Sequence, residues 1–498
     1  MSRRALLTGA AGGAVALTTG AGVRVPAVVG ELEEKILAGM RRYDVPGVAL
    51  GLRYRGVDYV RGYGVAEVGK PAMVDGDTVF RVGSTTKTFT GTAVMRLVER
   101  GKLDLDRTVR SYLPGFRDGF PAATVRQALN HSAGWLGDYF YDTGADDQAL
   151  ARYVGAMGRV PQQTPPGKVF AYNNAALGVA GRLVEVAAGV PYEDAIRSLI
   201  TGPLRLDHSS FFTEDLDDTV TVAMSHVFGP DGTQVPSPGS FAMPRSIHPA
   251  GGLISSARDQ LRWARFHLGD GGRVLSRRSL RLMRSRPGPG GALFVELDGM
   301  GVTWMVRPTV EGTKVIQHGG DWEGQHSGFL MVPEQDFALT VLTNSETGPD
   351  LLDELFVDDW ALARFAGLHN LPARVRPESR IADYLGYYTL EQIGFDGAAV
   401  SITLEAVAVG GELSLRYEGE ELLRLGFYRK DFARFAFPDG TYSNGRSSFV
   451  RDRHDRVEFY RYGGRLMRRT DTPPAVAKSR TAATLRFPGP ALPYPVRG

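Results

Sequence analysis

The chain has 498 residues, 43% of them hydrophobic and 23% charged, with a net charge of +3 and no cysteine. That length predicts two or three domains, and the composition is that of a soluble globular protein. The absence of cysteine excludes disulfides, thiolate metal sites and a cysteine nucleophile, and the dispersed, mostly Arg basic residues do not imply nucleic-acid binding.

In chain order, Ser2-Arg3-Arg4-Ala5-Leu6-Leu7 precedes a small-residue apolar run that ends near Leu17. This resembles a twin-arginine export signal, with cleavage after Ala21, and predicts a periplasmic or extracellular protein whose residues 1–29 are signal and linker. The run is too short and too Gly-rich for a stable membrane span, and no other segment could form one. Glu31 to Tyr43 reads as a helix, with Leu32, Ile36, Leu37 and Met40 on one side. Val48–Tyr54 and Asp58–Tyr63 read as strands around the turn Arg55-Gly56-Val57. From Ser84 to about Gly269 the pattern is helical with long loops, and its clear helices are Ser84–Arg100, Ala175–Ala188 and Ala257–Leu268. Strands return at Val302–Val306, Lys314–Gln317, Phe329–Val332 and Phe337–Leu342, the last two joined by the turn Pro333-Glu334-Gln335-Asp336. Leu351 to Phe365 predicts a closing helix.

Strands from both ends with helices between them predict an α+β fold over 30–370: an antiparallel sheet flanked by helices, with an inserted α-helical subdomain and a cleft between the two. Residues 371–380 read as a linker. From about 381 to 470, short alternating runs separated by Gly-Gly, Asp-Gly and charged turns predict a small all-β barrel. It is expected to fold apart from the catalytic portion and to shape or cover the cleft. The Pro- and Arg-rich residues 471–498 read as a tail.

Three short motifs carry chemistry. In Ser84-Thr85-Thr86-Lys87, a serine and a lysine three apart share one face of a helix. The serine lies at the helix start, where free backbone N–H groups favour an oxyanion, and the lysine is within reach of its proton. In Tyr172-Asn173-Asn174, a phenol on a loop can shuttle a proton into a cleft, and Asn174 can bind a substrate amide or hold the lysine. In His318-Gly319-Gly320, two glycines at a strand end let a substrate backbone approach closely. Taken singly, each motif would be an ordinary cap, packed tyrosine or glycine-rich loop.

Together, in this order, the motifs resemble those of the serine β-lactamase and penicillin-binding-protein superfamily. The closest branch is that of class C β-lactamases, D-aminopeptidases, DD-peptidases and esterases. The stretch Thr124 to Gly134, Ala250-Gly251-Gly252-Leu253 and Val341-Leu342-Thr343-Asn344 also fit the family, and the resemblance spans roughly Leu32 to Leu368. The β-domain, through Tyr384-Leu385-Gly386-Tyr387-Tyr388, is similar to lipocalin-like domains attached to some of these hydrolases.

The resemblance implies Ser84 as acylated nucleophile, with Lys87 and Tyr172 together as its base. It implies Asn174, His318, Gly319 and Gly320 as substrate-binding residues, and the backbone N–H groups of Ser84 and Asp321 as the oxyanion hole. His131 falls in a segment that is usually structural. His326, eight residues after His318, has no acidic or cysteine partner at ligand spacing, so no metal and no cofactor are expected. The expected partner is a small-molecule or peptide substrate, with the oligomeric state open. Family members with K-T-G present a Lys and a Thr to a substrate carboxylate. His318-Gly319 replaces both, which implies hydrolysis of D-amino-acid peptides, amides or esters ahead of β-lactams. Transfer to an amine, as by an acyl or peptidyl transferase or peptide cyclase, is the alternative. A true β-lactamase or a non-turnover penicillin-binding sensor is the further one.

Overall fold

Strands from the two ends of the first 370 residues meet in one antiparallel sheet. In the computed structural model, which describes residues 26–285, 287–436 and 440–472, its order runs Gly299–Met300, Met305–Arg307, Val315–Gln317, Gln325–Val332, Phe337–Thr343, Gly47–Tyr54, Val57–Gly64. The Arg3-Arg4 leader and residues 473–498 of the expected tail lie outside the described residues. Gly47–Tyr54 is the seam: Leu50 lies opposite Val341 on one side and Arg61 on the other. Both faces of this central strand are covered, so Val48, Ala49, Leu50 and Leu52 are all buried.

One face of the sheet packs under Ala27–Tyr43 and the closing helices, around Leu32, Ile36, Leu50, Leu339 and Leu355. The other carries Ala257–Leu268 and the helical subdomain, centred on Thr86–Glu99 and Asn174–Ala188. Thr86–Glu99 is buried almost all round, with Phe89 stacked on Trp263 at 3.9 Å. Its threonines are admissible there because their hydroxyls are paired, Thr88 to Thr85 O and Thr92 to Thr88 O, both at 2.8 Å.

Three expectations need adjusting. The expected helix Ser84–Arg100 begins as a tight turn, Gly83–Thr85, and becomes α-helical only over Thr86–Glu99. The expected strand Val302–Val306 is Met305–Arg307, because Gly301 N–H bonds back to Trp304 O and Thr303 sits at φ +61. The expected helix Leu351–Phe365 is three pieces, Gly348–Leu352, a wide turn Asp353–Val357 and Trp360–Ala366. The break comes where Asp358 N–H reaches back to Asp353 O.

The β-domain is a closed barrel of eight antiparallel strands in sequence order, from Gly386–Ile393 to Arg465–Thr470. These two strands close it, with Tyr388 opposite Arg469. Its interior is filled by Tyr388, Leu404, Leu415, Leu425, Phe449 and Tyr460. The barrel is docked by its turns and strand ends. Ile393 N–H bonds to Asp138 O, Phe140 N–H to Ile393 O and Tyr172 N–H to Gly464 O. Arg461 Nε donates to Phe170 O at 3.0 Å, and Arg446 Nη1 to Glu296 Oε1 at 2.6 Å. No helix among the described residues is long and apolar enough to cross a membrane.

Candidate active site

Ser84 lies in the turn that feeds the Thr86–Glu99 helix, at the edge of the sheet. Two hydroxyls fasten this turn to the facing strand. Thr85 Oγ1 donates to His318 O at 3.0 Å, and Ser327 Oγ donates to Val82 O at 2.8 Å. Two glycines permit the approach. A Cβ at Gly83, which sits at φ +49, would fall 2.6 Å from Asp321 N; one at Gly320 would fall 2.4 Å from Ser84 N. Side chains at either position would drive the backbones apart.

The strand beside this turn is continuous in register. Gln317 lies opposite Leu330 and Gly320 opposite Ser327, so His318 and Gly319 are in line between them. His318 N–H bonds to Phe329 O at 3.0 Å. Alternation along an antiparallel ladder then turns the Asp321 N–H out of the sheet, toward the Ser84 turn. The N–H groups of Ser84 and Asp321 thus lie on the two sides of one narrow gap. The Asp321 carboxylate turns aside to His326 Nδ1 at 2.9 Å.

Lys87 is completely buried. Its Nζ lies 2.8 Å from Ser84 Oγ and donates to Ala250 O at 2.6 Å. Burial, reinforced by the nearby Arg465 cation, holds its pKa well below the ordinary lysine value, which favours the neutral amine. Tyr172 is 5% exposed. Burial pushes its phenol up, against the pull of Arg465 and a hydrogen bond with Ser84. The serine hydroxyl is therefore in contact with one amine that is free to take a proton and one phenol that keeps its own.

Three supports hold Tyr172. Its ring stacks on His131 at 4.5 Å, its N–H is fixed by Gly464 O, and Arg465 lies over the ring at 4.6 Å. His131 also accepts a hydrogen bond from Asn173 N–H through Nδ1 at 2.9 Å. Its burial, with Lys87 nearby, keeps it neutral. Asn173 caps the following helix by accepting from Ala176 N–H. Asn174 Nδ2 donates to Asp138 Oδ1 at 2.7 Å; the lysine is held by Ala250 O instead.

His318 is fully buried, and burial beside Lys87 lowers its pKa to about 3. Its Nδ1 is 2.7 Å from Gly319 O. Since a carbonyl can only accept, Nδ1 carries the hydrogen, and the buried Nε2, which has no protein partner, is an acceptor. His318 therefore offers a carboxylate no donor.

The structure brings Ser84, Lys87, Tyr172, His318, Gly319, Gly320 and Asp321 into one region, with Asn174 beside Tyr172 and bonded to Asp138. Sequence reasoning missed Asp138, Ala250 O, Gly464 and Arg465. Ala250 sits in a stretch that fits the family; Gly464 belongs to a Gly-Gly turn signal that says nothing of Tyr172, and Asp138 and Arg465 carry no signal of a site role. Among the described residues, no group of three or more His, Asp or Glu could hold a metal ion. A surface cavity of ≈ 470 Å³ lies elsewhere, between Glu296, Pro308, Leu371, Tyr428 and Arg429, and none of the motif residues lines it.

A family profile named Beta-lactamase matches residues 32–362. Penicillin-binding protein 4 of Amycolatopsis lactamdurans is 35% identical over 373 residues, covering 72% of this chain and 97% of its own. Esterase EstB of Burkholderia gladioli is 32% identical over 254 residues, 44% of this chain and 64% of its own. Among solved structures, SurE superposes with a TM-score of 0.68 at 28% identity, covering 89% of this chain and 99% of SurE. A crystal structure of SurE with D-Leu gives 0.67 at 26%, with 89% and 100% covered.

Proposed function

Because the chain belongs to the beta-lactamase family of serine hydrolases, we propose that it acts through an acyl-enzyme on Ser84, cleaving D-amino-acid peptides, amides or esters. The observation that carries this reading is the buried Lys87 amine, 2.8 Å from Ser84 Oγ. In the first half-reaction Lys87 takes the Ser84 proton as Oγ attacks the substrate carbonyl carbon. The carbonyl oxygen, now negative, is received by the N–H groups of Ser84 and Asp321. The tetrahedral adduct collapses, the bond to the leaving group breaks, and Tyr172 relays the proton to the departing amine or alkoxide. In the second half, water or an amine gives up a proton along the same path, takes the acyl group and restores the serine.

Two observations support the substrate class. His318 and Gly319 leave no side-chain donor for the carboxylate of a penicillin, and a SurE structure contains D-Leu. That D-Leu carries an amine also favours, as a second reading, an amine acceptor in the deacylation step. The test is a panel of p-nitrophenyl esters, D- and L-aminoacyl anilides, D-Ala-D-Ala peptides and nitrocefin, with intact-mass detection of acyl-Ser84 and product masses with and without added amines. Turnover of esters or D-amides with a Ser84 adduct supports the reading; turnover without one overturns it. Export belongs to the same reading. Replacing Arg3-Arg4 with Lys-Lys should retain the chain in the cytoplasm, and unchanged secretion would refute the assignment.

A further inference from the structure

Asp138 belongs to none of the three motifs, yet its carboxylate receives more side-chain donors than any group around Ser84. It is 2% exposed. Oδ1 accepts from Asn174 Nδ2 at 2.7 Å; Oδ2 accepts from Arg465 Nε at 3.1 Å and Gln392 Nε2 at 3.3 Å. Asn174 follows the tyrosine of the catalytic portion, whereas Arg465 and Gln392 belong to the two strands that close the barrel. The Asp138 carbonyl is engaged as well, by Ile393 N–H. An ionised carboxylate can only accept, so it obliges Asn174 to turn its NH2 inward, leaving Oδ1 as the free end of the carboxamide. Without that carboxylate, the amide could rotate and exchange a substrate acceptor for a donor.

The pair also brings two opposite charges to the same place. The Arg465 guanidinium lies 4.6 Å from the centre of the Tyr172 ring, with its Nε on Asp138 and its Nη1 on Gly463 O at 2.8 Å. Lys87 is faced by Ser84 and Ala250 O, by the neutral rings of His131 and His318, by the Tyr172 phenol, and by the charges of Asp321, Asp138 and Arg465.

We propose that Asp138 and Arg465 form a positioning pair through which the barrel fixes the orientation of Asn174 and balances the charge around Lys87 and Tyr172. This rests on the acyl-enzyme reading above. With both present, the cation and the anion act on Lys87 in opposite directions. Removing Asp138 leaves the cation, which disfavours a protonated lysine. Removing Arg465 leaves the anion, which favours it. The two losses therefore act in opposite directions on the pH at which the general base becomes available.

The test is single-turnover acylation of the full-length chain by a p-nitrophenyl ester across pH, with Asp138→Asn, Arg465→Gln, Arg465→Lys and the Asp138→Asn/Arg465→Gln double variant. The acidic limb should move to lower pH in Asp138→Asn and to higher pH in Arg465→Gln, each by about 0.5 unit or more. It should return close to the parent position in the double variant and stay in place in Arg465→Lys. Asp138→Asn should also raise KM for amide substrates more than for esters. Limbs that move the same way, or rates that fall with no limb moving, would overturn the proposal, because a purely structural role predicts one or the other. Should Asp138→Asn fail to fold, the contrast between Arg465→Gln and Arg465→Lys decides alone. Absence of any acyl-Ser84 in the parent protein would instead remove the underlying mechanism.

Discussion

A lysine ammonium whose hydrogen-bond partners are a hydroxyl and a carbonyl has lost most of its hydration with no carboxylate bonded to it, and burial together with the Arg465 cation favours the neutral amine of Lys87. Acylation should therefore rise with pH as Lys87 deprotonates, with the midpoint below that of an ordinary lysine. Lys87→Ala and Tyr172→Phe should each slow single-turnover acylation by about a hundredfold or more. Their double variant should cost much less than the product, since both serve one proton transfer; strict additivity would assign them separate tasks. His318, titrating near pH 3, should leave no limb of its own in the profile above pH 4. With no donor from His318 or Gly319, uncharged esters and amides should exceed nitrocefin in kcat/KM. The change His318-Gly319 to Lys-Thr should favour β-lactam acylation, by about tenfold to a hundredfold, for a charged donor worth roughly 1.5–3 kcal/mol. Steady-state rates on paired substrates check this, and faster nitrocefin turnover by the parent would contradict it. Ser84, Lys87, Tyr172, Asn174 and His318 are legible in the sequence because each motif is confined to a few residues at a fixed spacing. Asp138 and Arg465 are not. They meet across 327 residues, and the glycines that precede each of them mark turns without saying that the two turns meet.

Among the elements, the short helix His248–Gly251 matters because its Ala250 carbonyl holds Lys87. The helix is moored through His248, whose Nδ1 donates to Glu193 Oε1 at 2.7 Å, and Glu193 also takes two bonds from Arg245 at 3.1 Å. Burial lowers the His248 pKa against the pull of Glu193, and Arg245 brings a permanent charge to the carboxylate. Burial alone would raise Glu193; the bonds from His248 and Arg245 outweigh it and hold the carboxyl down to about 2. A depressed carboxyl stabilises the fold fully above its unfolded pKa, and that stability is lost as pH falls from about 4.5 toward 2. Glu193→Gln should lower Tm at neutral pH and flatten the stability loss over that acid window, by something on the order of 3 kcal/mol. Denaturant titrations at pH 7, 4.5 and 3 measure it, and parallel curves for variant and parent would count against it. Fully buried strands such as Phe337–Thr343 are legible in the sequence as short apolar runs that follow a clear turn, here Pro333 to Asp336. The broken closing helix is not, because Leu351, Leu352, Leu355, Leu362 and Phe365 keep a helix-like apolar spacing across the kink and still reach one core.

Across the whole molecule, the barrel reaches the Ser84 region through a turn of two glycines. Gly464 sits at φ +78, and a Cβ there would lie 2.9 Å from Tyr172 Cβ. Gly464→Ala should displace the tyrosine and slow acylation by about tenfold to a hundredfold, while the barrel keeps its strands. Gly410→Ala, at a barrel turn of similar φ with nothing within 4 Å, is the matched control and should leave acylation near the parent rate. Circular dichroism and thermal melts of both variants separate a displaced tyrosine from an unfolded barrel. Equal rates in the two would show that the turn does not bear on Tyr172.

The order in which the ribosome delivers these parts follows from the same docking. Asp138 is made 327 residues ahead of Arg465. At about 5–20 residues per second, that is a delay of roughly 15–65 s. Throughout that interval the nascent chain already carries its serine and lysine but lacks the carbonyl that steadies the tyrosine and the cation that faces Asp138. A newborn molecule is thus kept from its full complement of groups until the last strand among the described residues begins to emerge, a delay written into its topology.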